Sequence, residues 1–242
     1  MKTMNNRLFR KCVLTLIIFV LLFLPSCENA EKNTAEEFTP DDSEVITLPE
    51  PRYDSEISLE ESLLNRRSTR NYRNEPVTLQ EVSQLLWAAQ GITDDAGHRT
   101  APSAVALYPL SIYVVVGNVQ EIVDGVYIYQ PDDHTIKRLI DEDIRNELSI
   151  AAMGQASVRQ GAVSFVVTVD YGIVMSRFGD KAERFGTLEA GHAAQNLCLQ
   201  ATALDLGLVT AGAIYDDQVA EVLDLPENLT PVYVIPIGRI IE

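Results

Sequence analysis

The sequence predicts an α+β domain in which helices pack on a mostly antiparallel sheet. Three observations carry that expectation. Capping boxes at Ser58-Leu59-Glu60-Glu61 and Thr78-Leu79-Gln80-Glu81 open two helices. β-Branched runs at residues 112–116 and 163–169 have the composition of buried strands, and Pro131-Asp132-Asp133 between two shorter runs reads as a hairpin. Helices and strands then interleave without the regular βαβ rhythm of a parallel sheet, and no internal repeat is present.

Each element has its own local reason. Leu59, Leu63 and Leu64 give the first helix a short apolar face. Leu79, Val82, Leu85, Leu86 and Ala89 line one side of the second, and Gly91 stops it. Pro76 forbids helix continuation between them, so the stretch after Asn65 is a loop. Residues 92–110 are rich in Gly, Asp, Pro, Ala and Ser, and a loop of that length inside a compact domain points to function. Strands follow at 112–116, 126–129 and 135–139, then a helix at 143–152 and a strand at 163–169. Helices are expected at 174–183 and 187–206. The second has apolar or small residues almost all round, which predicts a central buried helix. A short strand at 208–213, a helix at 216–223 and a strand at 232–238 complete the chain.

The first 27 residues stand apart. Lys2, Arg7, Arg10 and Lys11 make a basic start, residues 13–24 carry no charge, and Leu24-Pro25-Ser26-Cys27 follows. That is the layout of a secretory signal, too short for an ordinary spanning helix. Its end resembles a bacterial lipobox, which implies that Cys27 becomes the lipid-bearing first residue. A plain signal peptide or an uncleaved anchor are the alternatives, and any of the three exports the chain. Residues 28–52 are polar and acidic and read as a disordered tether. The expected organisation is therefore signal (1–27), tether (28–52) and domain (53–242), in a lipoprotein held at a membrane on its periplasmic or extracellular side.

The 242 residues carry a formal net charge of −16. Removing the signal's four cations takes it to about −20, which argues against nucleic acid or an anionic lipid surface as partner. Cys198 is the one cysteine within the domain, so no internal disulfide is expected, and its apolar neighbours predict a small core residue.

Against that acidity, Arg66-Arg67-Ser68-Thr69-Arg70 gathers three guanidiniums in five residues. A cationic cluster after a helix can simply complement the helix dipole. It can equally grip phosphate, since guanidinium forks match its oxygens. No Walker loop, Gly-x-Gly-x-x-Gly, His-Glu-x-x-His or Gly-x-Ser-x-Gly is present. His98, His134 and His192 are far apart in sequence, which gives a histidine metal site little support.

Three further segments stand out: Ala101-Pro102-Ser103-Ala104-Val105-Ala106-Leu107-Tyr108-Pro109, the helix from Leu188-Glu189-Ala190-Gly191-His192 to Leu197, and Pro236-Ile237-Gly238-Arg239. In this order and at these spacings, the four segments resemble the flavin-dependent nitroreductase superfamily, over residues 59–238. Within it they are most similar to the branch grouped with the azoline dehydrogenases of thiazole and oxazole biosynthesis.

The resemblance implies an α+β sandwich that forms a homodimer through long helices, with flavin mononucleotide (FMN) at the dimer interface. It implies that Arg66, Ser68 and Arg70 contact the FMN phosphate, ribityl chain and pyrimidine edge, with Arg67 between them also facing the cofactor. Arg239 would close on the phosphate. Pro102, Ser103 and Ala104 would reach the flavin, typically from the other subunit, and Gly212 and Ala213 would lie beside the isoalloxazine ring. Small residues at those positions suit close approach to a flat ring. For Gln195 and Asn196 a buried structural hydrogen bond is the expectation, for His192 packing, and Glu189 stays ambiguous.

Two positions depart from the relatives. Val105 stands where they usually carry Gly, and Arg177-Phe178 stands where the azoline dehydrogenases carry Lys-Tyr. Phenylalanine moves no proton, which disfavours azoline oxidation. The expected activity is an FMN-dependent oxidoreductase that passes hydride through flavin N5 from a reduced donor such as NAD(P)H to an electron-poor small molecule. The flavin carries the chemistry, so no catalytic acid or base need stand out. A peptide-modifying azoline dehydrogenase and a flavin-binding electron relay without turnover are the alternatives.

Overall fold

The structure, a computed structural model, describes residues 44–241. The signal segment, Cys27 and most of the expected tether lie outside the described residues. The strands are β1 (Val45–Thr47), β2 (Tyr72–Arg73), β3 (Leu110–Val116), β4 (Gly125–Gln130), β5 (Thr135–Ile140), β6 (Val163–Asp170), β7 (Leu206–Leu208) and β8 (Leu229–Ile240). The helices are α1 (Leu59–Asn65), α2 (Leu79–Gln90), α3 (Arg145–Ala151), α4 (Ala156–Gln160), α5 (Tyr171–Phe178), α6 (Ala182–Ala203) and α7 (Asp216–Val222).

The strands form one sheet in the order β1-β5-β4-β3-β6-β8-β2, with β7 also on β8. Every pairing is antiparallel. The central strands carry apolar residues on both faces because both faces are covered. Ile112, Val114, Phe165, Val167, Ile235 and Ile237 point to one core, which α2 and α6 close with Leu85, Leu86, Ala190 and Leu197. Tyr113, Val115, Val166 and Val234 point to the other, closed by Leu148, Val158 and Val219 of α3, α4 and α7. This is the helix–sheet–helix sandwich that the sequence predicts. No helix of the described residues is long and apolar enough to cross a membrane.

Several boundaries move. Residues 45–47, within the expected tether, form β1 and pair with β5. Leu48 behind it is buried at 4% exposure. His134, at the β4–β5 turn, holds this segment down. Its Nε2 lies 2.8 Å from Ser83 Oγ of α2 and 3.2 Å from the Pro49 carbonyl, while Nδ1 meets the Tyr129 hydroxyl at 2.9 Å. The ordered domain therefore already includes Glu44, whose carbonyl accepts from Arg138 N at 3.1 Å. The expected strand at 208–213 is strand at 206–208, followed by a segment held to β8 by the Ala211–Val234 bridge.

The two long helices meet earlier than their sequence pattern suggests. Gly179 takes φ +53° and ends α5, a conformation that L side chains rarely adopt. The helix α6 then runs for 22 residues. It is buried along a stripe from Ala182 through Gly186, Glu189, Ala190, Ala193, Ala194, Leu197 and Cys198 to Ala201, not all round. His192 and Gln195 are exposed on its other face, so they are not the packed residues expected, and Leu188 beside them is 50% exposed. Asn196 does make its structural bond, Nδ2 donating to the Thr100 carbonyl at 3.3 Å. Cys198 is buried as expected.

Candidate cofactor site

The arginine segment is built by the end of α1. Ser58 caps that helix, its hydroxyl accepting from Glu61 N at 3.1 Å, and Arg66 N closes the last turn on Ser62 O at 3.0 Å. Arg67 then turns back, Nη1 donating to the carbonyls of Leu64 at 2.9 Å and Arg66 at 2.8 Å. Arg67 thus sits on the orphan carbonyls of α1, the contact the helix-end reading describes.

Beyond it the chain is pinned to β7. Ser68 bridges Leu208, and Thr69 N donates to Leu208 O at 2.8 Å. The contact needs Gly207, where a Cβ would sit 2.8 Å from Thr69 Cγ2. Arg66 and Arg70 are left without a carboxylate partner among the described residues. Arg66 lies near Cys198 of α6, opposing the upward push that burial gives that thiol. Arg70 lies near Tyr72, whose hydroxyl donates to the carbonyls of Thr69 and Pro236 at 2.8 and 3.0 Å.

Arg239 does something else. Its Nη1 and Nη2 donate to Glu81 Oε1 and Oε2 at 2.6 and 2.8 Å, and Nε donates to Pro76 O at 3.1 Å. It makes a fork-to-fork ion pair with the first turn of α2. Glu81 is fixed there because its carboxylate also accepts from Thr78 N at 2.7 Å, which closes the capping box.

From Leu208 the chain runs beside β8 to Gly212 and Ala213, held by the Leu208–Ile237 pairing and the Ala211–Val234 bridge. Four extended residues put Gly212 about 13 Å from the arginine segment. Gly212 lines a cavity of about 470 Å³, walled also by Tyr171, Met175, Pro231 and Val232. Asp180, Glu183 and Asp216 stand among its lining residues. The Ala213 carbonyl is held by Gln155 Nε2 at 3.1 Å.

Pro102–Ala104 belongs to a different half of the molecule, beside Glu189 of α6. Glu189 lies near Ser103, Ala104 and Arg99, and its Oε1 is buried without a hydrogen-bond partner. Burial raises its carboxyl above the ordinary glutamate range, while those neighbours pull the other way. The turn that follows is strained: Val105, Ala106 and Tyr108 have φ of 49°, 56° and 48°. Such values cost energy for residues with a Cβ, most of all for a β-branched one. Arg99 stacks on the Tyr108 ring at 4.5 Å and donates to Gln90 Oε1 at 2.8 Å.

One chain thus brings Arg66, Ser68, Arg70, Gly212 and Ala213 along a common edge near β7. It places Pro102, Ser103 and Ala104 at Glu189, about 13 Å along α6 from Cys198, and turns Arg67 and Arg239 to structural partners. Sequence reading missed the Glu81–Arg239 pair, Arg99 and the burial of Glu189. The buried stripe of α6 carries a signal for Glu189, a carboxylate among Gly and Ala at helical spacing. Nothing local marks the other two.

Comparison with known proteins bears on this arrangement. The model of the nitroreductase family matches residues 63–239, and the chain belongs to that family of oxidoreductases. A Methanocaldococcus jannaschii protein described as a candidate nitroreductase is 42% identical over 201 residues, 83% of this chain and 99% of that protein. A solved structure of a candidate nitroreductase from Ralstonia eutropha superposes with a TM-score of 0.73 at 32% identity, over 84% of this chain and 92% of the other. The Bacillus subtilis protein named FMN reductase (NADPH) is 24% identical over 193 residues, 74% of this chain and 64% of its own length.

Proposed function

We propose that the domain binds FMN along the edge from Arg66 to Ala213 and passes hydride between a reduced nicotinamide and an electron-poor small molecule. The observation that carries this reading is one extended segment with two guanidiniums at one end that have no carboxylate partner among the described residues, and an open cavity at the other. A flavin nucleotide has that polarity, anionic phosphate at one end and a flat ring at the other. When bound, FMN supplies a ring nitrogen that takes up and releases hydride.

The chain's own residues bind and orient. Arg66 and Arg70 hold the phosphate, and the Ser68 hydroxyl adds a neutral donor. The backbone at Gly212 and Ala213 admits a flat ring and offers N–H groups to its edge. Pro102–Ala104 completes the site from a second copy of the chain. The open face of α6, with Leu188, His192 and Gln195, is where that homodimer would form. A nicotinamide donor draws support from the FMN reductase (NADPH) relative. The azoline branch is disfavoured by Phe178, which packs on Phe185 with centroids 4.5 Å apart. The basic start, uncharged run and Cys27 support an exported, lipid-anchored protein.

The full-length chain, purified and reconstituted with FMN, should show flavin's visible absorption band, and anaerobic NADH or NADPH should bleach it. A yellow protein that stays yellow with both donors would mean an electron relay. A chain that takes up no FMN would end the proposal.

A further inference from the structure

His134 joins three parts of the fold at one ring. It stands half-buried at the β4–β5 turn, between α2 and the strap of residues 45–52 that enters the domain through β1. Ser83 of α2 is fully buried, and its hydroxyl donates to the Pro49 carbonyl of the strap. The Ser83 oxygen, 2.8 Å from Nε2, is therefore left to accept from the ring, and the Pro49 carbonyl at 3.2 Å accepts as well. Both neighbours require the proton on Nε2. The neutral ring then keeps a lone pair on Nδ1, which takes the Tyr129 O–H at 2.9 Å. In that form both ring nitrogens are satisfied.

A second proton spoils the arrangement. Nδ1–H would face the hydrogen of Tyr129, a residue only 5% exposed whose hydroxyl has no other partner among the described residues. The hydroxyl would have to turn and bury its proton without an acceptor. Ionisation offers Tyr129 no escape, because burial pushes its pKa above the ordinary tyrosine value, against the pull of Arg99. Of the other groups around the ring, Glu50 on the strap favours the cation, and Asp132 and Asp133 are exposed on the turn itself. From α2 comes the uncharged Ser83, while Glu81 of that helix is taken up by Arg239. Burial prevails and holds His134 below the ordinary 6.5, against the Pro49 carbonyl and Glu50.

The strap has other fastenings, and these are amides that do not titrate. Gln80 Nε2 donates to the Glu50 carbonyl at 3.1 Å. Gln84 accepts from Arg52 N at 2.7 Å and donates to the Arg52 carbonyl at 3.0 Å. Ahead of them, residues 45–49 depend on the β1–β5 pairing, on Leu48 N donating to the His134 carbonyl at 3.2 Å, and on the ring.

We propose that His134 is a pH-operated latch: its neutral ring fastens residues 45–49 to α2, and a proton on Nδ1 releases them while Gln80 and Gln84 keep residues 50–52 anchored. Release bares the outer edge of β5. The latch is fully closed above pH 6.5 and its contribution is lost as pH falls through the lower, folded value.

Hydrogen exchange of the full-length chain at about pH 7.5 and about pH 5, either side of the ordinary histidine value and corrected for intrinsic rate, tests this. Protection of residues 45–48 should fall about tenfold at the lower pH, the scale of one lost buried hydrogen bond, while Arg52, α2 and β6 keep theirs. His134→Gln, which has no titratable ring, should lose that pH response. His98→Gln, which removes the exposed histidine paired with Asp94, should retain it. In the wild-type protein the His134 ring resonance should titrate over the same pH range as the release, a readout that needs no variant to fold. Equal protection of residues 45–48 at both pH values, or a wild-type response in His134→Gln, would overturn the latch. So would loss of protection in β6 in step with the strap, or release at a pH where the ring resonance does not move.

Discussion

Glu81 and Arg239 meet fork to fork, at 2.6 and 2.8 Å, although 158 residues separate them. The same carboxylate closes the capping box of α2, so one side chain joins the start of a helix to the end of the last strand. Glu81→Ala should therefore lose a cap and leave a half-buried guanidinium unpaired, destabilising the domain by about 2 kcal/mol in urea unfolding. Arg239→Lys keeps the charge without the fork and should recover only part of that. If Arg239→Lys instead abolished FMN retention at unchanged stability, the residue would belong to the phosphate site after all.

The three neighbouring arginines should separate cleanly. Arg66→Ala combined with Arg70→Ala should weaken FMN binding about 100-fold or more, two charge-assisted contacts to phosphate being lost. Arg67→Ala should leave FMN affinity within about twofold and cost only about 0.5 kcal/mol, the scale of a helix-end interaction. Equilibrium titration with FMN and thermal unfolding distinguish the two patterns. Equal losses of FMN from all three substitutions would contradict the geometry at the end of α1.

Val105→Gly should stabilise the protein by about 1 kcal/mol. The gain is left-handed strain relieved at a β-branched residue, partly offset by the greater freedom of glycine in the unfolded chain. Urea midpoints of the two proteins measure it. A loss of stability would show that the valine side chain makes a contact worth more than the strain.

Glu189 gives stability a definite pH dependence. Its folded pKa is raised from 4.5, first by desolvation, so the folded state holds the proton more tightly than the unfolded chain. Its contribution is then complete below pH 4.5 and is lost as pH rises from there through the folded value. Glu189→Gln, permanently neutral, should gain on wild type over that window and stay level with it below. Unfolding free energies of the two proteins across acid to neutral pH test this. A constant difference at every pH would show that Glu189 titrates like a solvent-exposed carboxyl.

What the sequence made legible was local. The cap signatures at Ser58 and Thr78 lie within four residues each and both helices begin there, the Thr78 box closing reciprocally and Ser58 capping through its hydroxyl alone. The β-branched runs at β3 and β6 need no partner to be recognised. The strand β1 escaped because Val45–Thr47 sits in an acidic stretch, and only the edge of β5 makes it a strand. Strand β2, with two residues, and helix α4, with five, are too short to carry a period. At the site, the residue types were readable and their commitments were not. Whether an arginine is open to an anion depends on which acceptor the fold brings to it. Arg67 found its own helix, Arg239 found Glu81, and Arg66 and Arg70 found none among the described residues.

One edge of the sheet ends on β1, three residues laid over β5, while the edge of β8 away from β6 is covered by β7 and the Ala211–Val234 bridge. Without β1, the outer backbone of the six-residue strand β5 would stand open as a template for a neighbouring chain. A stub so short offers little to copy, and β1 leads directly into the acidic segment before it. Residues that look like the end of a linker therefore act as a guard against self-association. A domain trimmed to begin at Tyr53 would keep every residue of the cofactor edge and lose its colloidal protection.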